Sequence, residues 1–226
     1  MASGEKQKID RKGRSKLEKV PLRYRSIEER GRDFEETSFG YTAEEAMAEA
    51  ARCIHCPEPV ACVVACPLGN DIEKALWCVE KGDFIGAAEI YRATNPIPEI
   101  CGRVCPDESS CATKCVLAKR GKGINTQAIE AFVADYQRKE VGVELPEKAP
   151  PTGKKVGILG AGPAGLIVAE YLAVAGHRVV VKDAWPAPGG LLVYGNPNFK
   201  LGKEIVQWKT DRLHELGVEF VMNTRI

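Results

Sequence analysis

The sequence predicts two domains of different class: an α-helical, cysteine-rich domain, then an α/β domain of Rossmann type. Three observations predict this. All nine cysteines fall between residues 41 and 139, where the apolar spacing and start signals are those of short helices. A stretch rich in proline and charge, Glu144 to Lys155 (ELPEKAPPTGKK), then breaks the pattern. From Val156 onward the order becomes strand, glycine turn, helix, strand. The boundaries read as a basic arm over residues 1–40, a helical domain over 41–143, a linker over 144–154 and a Rossmann-type part over 155–226.

The composition narrows the class. Of the 226 residues, 44% are apolar and 28% charged, and 32 Lys and Arg nearly cancel 31 Asp and Glu. No global field therefore favours nucleic acid or an acidic membrane surface. No apolar run approaches the roughly 20 residues needed to cross a bilayer, and MASGEKQKIDRKGRSK lacks the apolar core of a secretory signal. A cytoplasmic protein without a membrane span is expected. Nine cysteines in such a compartment stay reduced, which favours metal binding over a disulfide scaffold.

The elements follow in order. Residues 1–33 carry 11 Lys and Arg against 6 Asp and Glu with little apolar periodicity; such a charge run is ordinarily a solvated tail or partner arm. Thr42 with Glu45 makes a capping-box pattern before AMAEAARC. Asp71 caps IEKALWCVEKG, which stops at Gly82, and Asp83 caps FIGAAEIYRA, which Asn95-Pro96 ends. A later helix, Thr126 to Lys139, places Ile129, Phe132, Val133 and Tyr136 on one face.

The cysteines form two groups. The first is Cys53-x2-Cys56-x5-Cys62-x3-Cys66-Pro67; the second is Cys101-x3-Cys105-Pro106, then Cys111-x3-Cys115. A Cys-x2-Cys hook supplies two thiolates from one turn, and a cysteine before proline in ferredoxin-like runs often reaches a neighbouring cluster. Structural zinc usually takes two short hooks per site, and only one pair here has that spacing. Iron–sulfur ligation is the better match. His55 inside the hook is read as a neighbour of the cluster edge, and Cys78, alone in a helix, as a small buried hydrophobe.

The second signature is nucleotide-binding. Strand KVGIL leads into Gly160-Ala161-Gly162-Pro163-Ala164-Gly165, a helix follows to Gly176, and a second strand closes on Asp183. This is the strand–turn–helix–strand setting that gives a GxGxxG pattern its meaning. Gly160 permits the turn, Gly162 lets backbone approach a pyrophosphate, and Gly165 lets helix pack on strand. Pro163 suits an early helical position, and the helix N-terminus favours phosphate charge. Asp183 can accept from ribose hydroxyls and repels a 2′-phosphate, which leaves FAD or NAD at this site.

Taken together, RCIHC, CPLGNDIEKALWCVEKGDFIGAAEIYRATNPIPEICGRVCPDESSCATKC, ILGAGPAGL and GGLLVYGNPNFKLGKEI resemble the glutamate synthase small (β) subunit family. That family includes the NADPH-binding subunit of bifurcating ferredoxin:NADP oxidoreductase, and its N-terminal module recurs in dihydropyrimidine dehydrogenase. The resemblance covers roughly residues 25–226. It implies a helical domain with two 4Fe–4S clusters and an FAD domain of glutathione-reductase type, here incomplete at the C-terminus.

By that resemblance Cys53, Cys56 and Cys62 with distant Cys115 hold one cluster. Cys66, Cys105 and Cys111 hold the other, with Glu130 as fourth ligand and Cys101 as the alternative. Flavin contacts fall on Ala161 to Gly165, on Asp183, on Gly190-Leu191 and on Lys200, where the family usually has arginine. The family continues into an NAD(P)H domain, whereas this sequence stops at Ile226 after a third strand, VEFVMNTRI. NAD(P)H binding is therefore expected only where another chain or a missing region supplies its site.

The expected function is an iron–sulfur flavoprotein electron-transfer subunit of an NAD(P)H-dependent oxidoreductase. No triad, HExxH motif or paired catalytic carboxylate is present, as suits a protein whose cofactors carry the chemistry. Ala2 follows the initiator Met, so the N-terminal cysteine nucleophile of a glutamine-hydrolysing domain is missing. Ammonia chemistry is thus expected of a large flavoenzyme partner, a glutamate synthase large subunit or a ferredoxin-type partner. The alternative is a non-catalytic wiring subunit or a truncated fragment, whose flavin and NAD(P)H sites need another chain.

Overall fold

The computed structural model describes residues 9–226; the first eight residues of the basic arm, Ala2 among them, lie outside the described residues. Two units are present. One takes the chain up to Arg23 and Gly40–Val141, the other Tyr24–Phe39 and Gly142–Ile226.

The first unit is helical. It holds α1 (Arg11–Arg14), and after α2 (Ile27–Arg30) of the other unit it resumes with α3 (Ala43–Ala50). In sequence between α1 and α3, β1 (Arg23–Tyr24) and β2 (Ser38–Gly40) pair as a two-stranded ribbon. Then come α4 (Ala61–Ala65), α5 (Ile72–Glu80), α6 (Phe84–Arg92), α7 (Pro98–Val104), α8 (Cys111–Lys114) and α9 (Thr126–Tyr136).

The predicted caps form. Glu45 N donates to Thr42 Oγ1 at 3.2 Å and Thr42 N to Glu45 Oε2 at 2.8 Å, a reciprocal box contributing about 1 kcal/mol. Asp71 and Asp83 accept from the Lys74 and Gly86 amides. Ala46, Leu76, Val79, Tyr91, Ile129 and Val133 form the core, with Phe132 and Tyr136 edge-on to Phe84. The last helix differs from its expected extent. Its α form ends at Tyr136 and one wider π turn, Gln137–Val141, follows, where buried Gln137 accepts from Arg92 Nε at 2.7 Å.

The second unit is built on a three-stranded parallel sheet in the order β3 (Lys155–Leu159), β4 (Arg178–Lys182), β5 (Glu219–Val221). Val156 lies opposite Val179, Ile158 opposite Val181, and Val181 opposite Phe220. Val179 to Val181 are buried on both faces, as a central parallel strand requires. Helix α10 (Pro163–Val174) returns from β3 to β4, and α11 (Leu191–Tyr194) and α12 (Lys203–Glu215) lie between β4 and β5. Among the described residues β3 pairs with β4 alone, and Leu159 at its end is 69% exposed.

The Pro-rich segment has no regular structure, yet it is tied to this unit. Ala149 N donates to Val174 O at 2.8 Å, Thr152 N to Gly176 O at 3.0 Å, and Lys148 Nζ to Leu216 O at 2.8 Å. Gly176 has φ +83°, and a Cβ there would meet Pro150 O at 2.3 Å, so this glycine both stops α10 and seats the segment.

Candidate iron–sulfur and nucleotide sites

The first cysteine set is assembled from three places in the sequence. Cys53 and Cys56 come from the hook after α3, Cys62 from α4, and Cys115 from the C-terminal cap of α8. All four thiols line one small apolar pocket with Val60, Leu76, Leu117 and Ile124. Burial pushes Cys53 and Cys62 up to about 12, and the neighbouring thiols push the same way. Burial also raises Cys56, against an opposing pull from the Arg11 guanidinium. These thiols become ligands only where a cation replaces their protons.

The hook is held by groups outside it. His55 takes a left-handed φ of 45°, and Arg11 donates to its carbonyl at 2.9 Å and to that of Ile54 at 3.1 Å. Arg14 donates to Ala51 O at 2.9 Å and Cys53 O at 3.1 Å while gripping Glu80 with both nitrogens, at 2.8 and 2.5 Å. The buried His55 ring packs edge-on to Trp77 and places Nδ1 2.7 Å from Glu73 and Nε2 3.4 Å from Glu80. Both ring nitrogens face carboxylates, so neither is directed to a metal.

The second set gathers where α4, α7, α8 and α9 meet. Cys66 caps α4, Cys105 caps α7 and Cys111 opens α8. Burial pushes Cys105 up to about 11, and Cys111, Glu130 and Cys66 all act on it. Cys101 is pushed up to about 12 by burial, then by the Glu130 charge. Burial raises Cys111 too, and its Sγ lies 3.4 Å from Thr126 Oγ1. Glu130 projects from α9 into this group, accepts from Asn95 Nδ2 at 2.8 Å, and is lifted to about 7 by burial. It is no surface carboxylate.

Gly102 makes this meeting possible. A Cβ there would lie 2.4 Å from Ala131 N and 2.7 Å from Ala131 Cα, so α7 reaches α9 only through a glycine. The closest approach thus falls beside Cys101 on one helix and beside Glu130 on the other. Arg103 Nη2, 2.7 Å from Asp135, ties the same pair of helices.

Among the described residues no three His, Cys, Asp or Glu side chains close around one point.

The nucleotide cleft, of about 590 Å³, opens at the C-terminal ends of β3 and β4 and is lined by Gly160, Gly162, Pro163, Asp183, Gly190 and Leu191, among others. Gly160 has φ +101°. A Cβ on Gly165 would strike Gly160 O at 2.0 Å, and one on Gly190 would strike Gly162 Cα at 2.7 Å, whereas one on Gly162 would meet nothing within 4 Å. The open face at Gly162 fits a phosphate, because helix α10 begins there with unpaired amides.

Asp183 Oδ2 accepts from Ala161 N at 2.6 Å and Oδ1 from Trp185 N at 2.8 Å. Each oxygen keeps a second lone pair for a ribose hydroxyl. Ala161 is buried under the turn, with its carbonyl accepting from Gly189 N at 2.7 Å. Ala164 and Gly165 stand in the first turn of α10 behind the cleft wall. Lys200 is on an exposed turn and is not among the cleft-lining residues.

Several residues were not foreseen from sequence. Trp185 and Tyr194, with rings 4.3 Å apart, line the cleft. Arg11, Arg14, Asn95 and Gly102 position the cysteine sets. The signal for Asn95 and Gly102 lay in the NP-x3-ICGRVCP stretch, where both stand at fixed offsets from Cys101.

Comparison with known proteins agrees with this division. Residues 30–141 match the family model described as dihydropyrimidine dehydrogenase domain II, 4Fe-4S cluster, and residues 158–216 match an NAD(P)-binding Rossmann-like domain. The glutamate synthase (NADPH) small chain of Halomonas elongata is 37% identical over 214 residues, which is 95% of this chain and 44% of that protein. The corresponding small chain of Escherichia coli is 38% identical over 210 residues, 92% of this chain and 43% of that one. An NAD-dependent dihydropyrimidine dehydrogenase subunit of Salmonella typhimurium is 32% identical over 192 residues, 85% and 46% of the respective chains. The chain thus spans under half the length of these relatives.

Proposed function

The chain is a homologue of the glutamate synthase small chains over most of its own length, and from that premise we propose that it is an electron-transfer oxidoreductase component that holds two 4Fe–4S clusters and FAD. The observation that carries the proposal is the convergence of Cys53, Cys56, Cys62 and Cys115, distant in sequence, on one apolar pocket. When bound, a flavin supplies hydride chemistry and the clusters supply one-electron transfer.

The chain's own residues do the rest. Cys53, Cys56, Cys62 and Cys115 hold the first cluster; Cys66, Cys105, Cys111 and Glu130 hold the second, with Cys101 as the alternative fourth ligand. Glu130 suits the part because Asn95 aims its carboxylate among the thiols. Gly160 to Gly165 and Gly190-Leu191 cradle the pyrophosphate and Asp183 takes the ribose hydroxyls, while Lys200, the family's further contact position, stands on an exposed turn outside the cleft lining. A large flavoenzyme subunit receives the electrons, and NAD(P)H is bound where further polypeptide supplies its site. So many reduced thiols fit the cytoplasm. Among the described residues no helix is long and apolar enough to cross a membrane.

Anaerobic reconstitution with iron and sulfide tests this. Two clusters predict about eight irons per chain; a plateau below about six rejects the pair. A second form of the proposal, a wiring subunit that binds flavin only with another chain, is favoured by the edge of β3, which among the described residues pairs with β4 alone. Flavin absorbance of the purified chain separates the two forms.

A further inference from the structure

Tyr91 lies on the buried face of α6, 1% exposed, and its hydroxyl has no hydrogen-bond partner. A buried hydroxyl left unpaired is destabilising, and such a group in a native fold calls for an acceptor that the polypeptide does not supply. The surroundings indicate which acceptor. Tyr91 shares its core with Cys111, and Cys62 and Cys66 pack against that core. The titratable groups near enough to act on the phenol include Glu130, Cys111, Cys62 and Cys66, three of them from the second set. Its carbonyl also accepts from Asn95 N at 2.9 Å, and Asn95 in turn holds Glu130.

We infer that the Tyr91 hydroxyl donates a hydrogen bond to a sulfur of the cluster held by Cys66, Cys105, Cys111 and Glu130, and thereby raises that cluster's reduction potential. The inference rests on the two-cluster assignment. Reduction adds negative charge that spreads onto the sulfurs, and a fixed donor favours the more negative state. The donor is dry and held by packing on all sides, so water does not compete for the acceptor. Tyr91 is a positioning residue in this role; it binds no iron.

Tyr91→Phe tests the inference, because it removes the hydroxyl and keeps the ring. The apo variant is expected to melt at or above the wild-type temperature, since an unsatisfied buried group is gone. The loaded variant is expected to hold the same iron, with the midpoint of one cluster shifted to more negative potential in an EPR-monitored titration. Wild-type protein should also show one exchangeable proton coupled to that cluster in ENDOR, and the variant should lack it. Full loading with unchanged midpoints and an unchanged proton spectrum overturns the inference alone, and a buried water is then the acceptor. A wild-type chain that takes up no cluster overturns the assignment and the inference together. A lower apo melting temperature with no shift in midpoint makes Tyr91 a packing residue, which also overturns it.

Discussion

Gly102 and Gly162 both sit in motifs, yet the structure gives them opposite duties. A methyl group at Gly102 runs into the backbone of Ala131, so Gly102→Ala forces α7 off α9. Overpacking of this kind costs about 1–3 kcal/mol. The damage falls between Cys101 and Glu130, so iron content should drop from about eight towards about four while melting falls. At Gly162 a methyl group meets nothing, and its φ of −73° is open to any residue. Gly162→Ala should therefore leave the unfolding free energy within about 0.5 kcal/mol of wild type and still abolish flavin retention. Glu130→Ala and Cys101→Ser divide the last ligand question by iron analysis: the first should lose about half the iron, the second little. Spacing made the two cysteine groups and the glycine turn legible, while the placing of Cys115 with the first hook came only from the resemblance. Tyr91 was not legible, because a buried polar group acquires its meaning only when separate helices close around it.

At the scale of elements, the basic arm is the instructive case. A run with 11 cations against 6 anions reads as a solvated tail, and charge alone offers nothing more. In the fold, α1 turns Arg11 and Arg14 onto the carbonyls of the first cysteine hook, and Arg14 with Glu80 is only 18% and 22% exposed. Arg14→Ala strips a bidentate partner from Glu80 and two donors from the hook. A loss of about 1–3 kcal/mol is expected, with the first cluster loading slowly or not at all while the second loads normally. Melting curves and EPR of the reduced protein check both halves. Helix α12 was unreadable for a related reason. Its buried face includes Lys209 and Thr210 beside Ile205, Val206 and Leu213, and Lys209 is paired with Glu170 of α10. A lysine on an inward face spoils the apolar stripe from which a helix is recognised.

For the whole molecule the deciding feature is that each unit has its own core. The helical unit brings the first set of thiols to one pocket, and in the sheet unit, among the described residues, β3 pairs with β4 alone. The two-domain division could be read from sequence, because hydrophobic periodicity switches sharply at Val156. The split of the arm could not, since the stretch Tyr24–Phe39 joins the second unit through single contacts such as Thr37 N to Phe199 O at 3.1 Å. A parallel strand with a free edge and a 69% exposed Leu159 is stabilised by any strand that pairs with it. The nucleotide cleft opens at the end of that same strand. Co-expression with a polypeptide that supplies the rest of a doubly wound sheet should therefore raise the flavin-to-protein ratio and leave the iron-to-protein ratio unchanged. Measured in parallel, stoichiometric flavin in the chain alone would remove the need for a partner at this site. A rise in iron together with flavin would mean instead that the cysteine sets, too, are completed from outside.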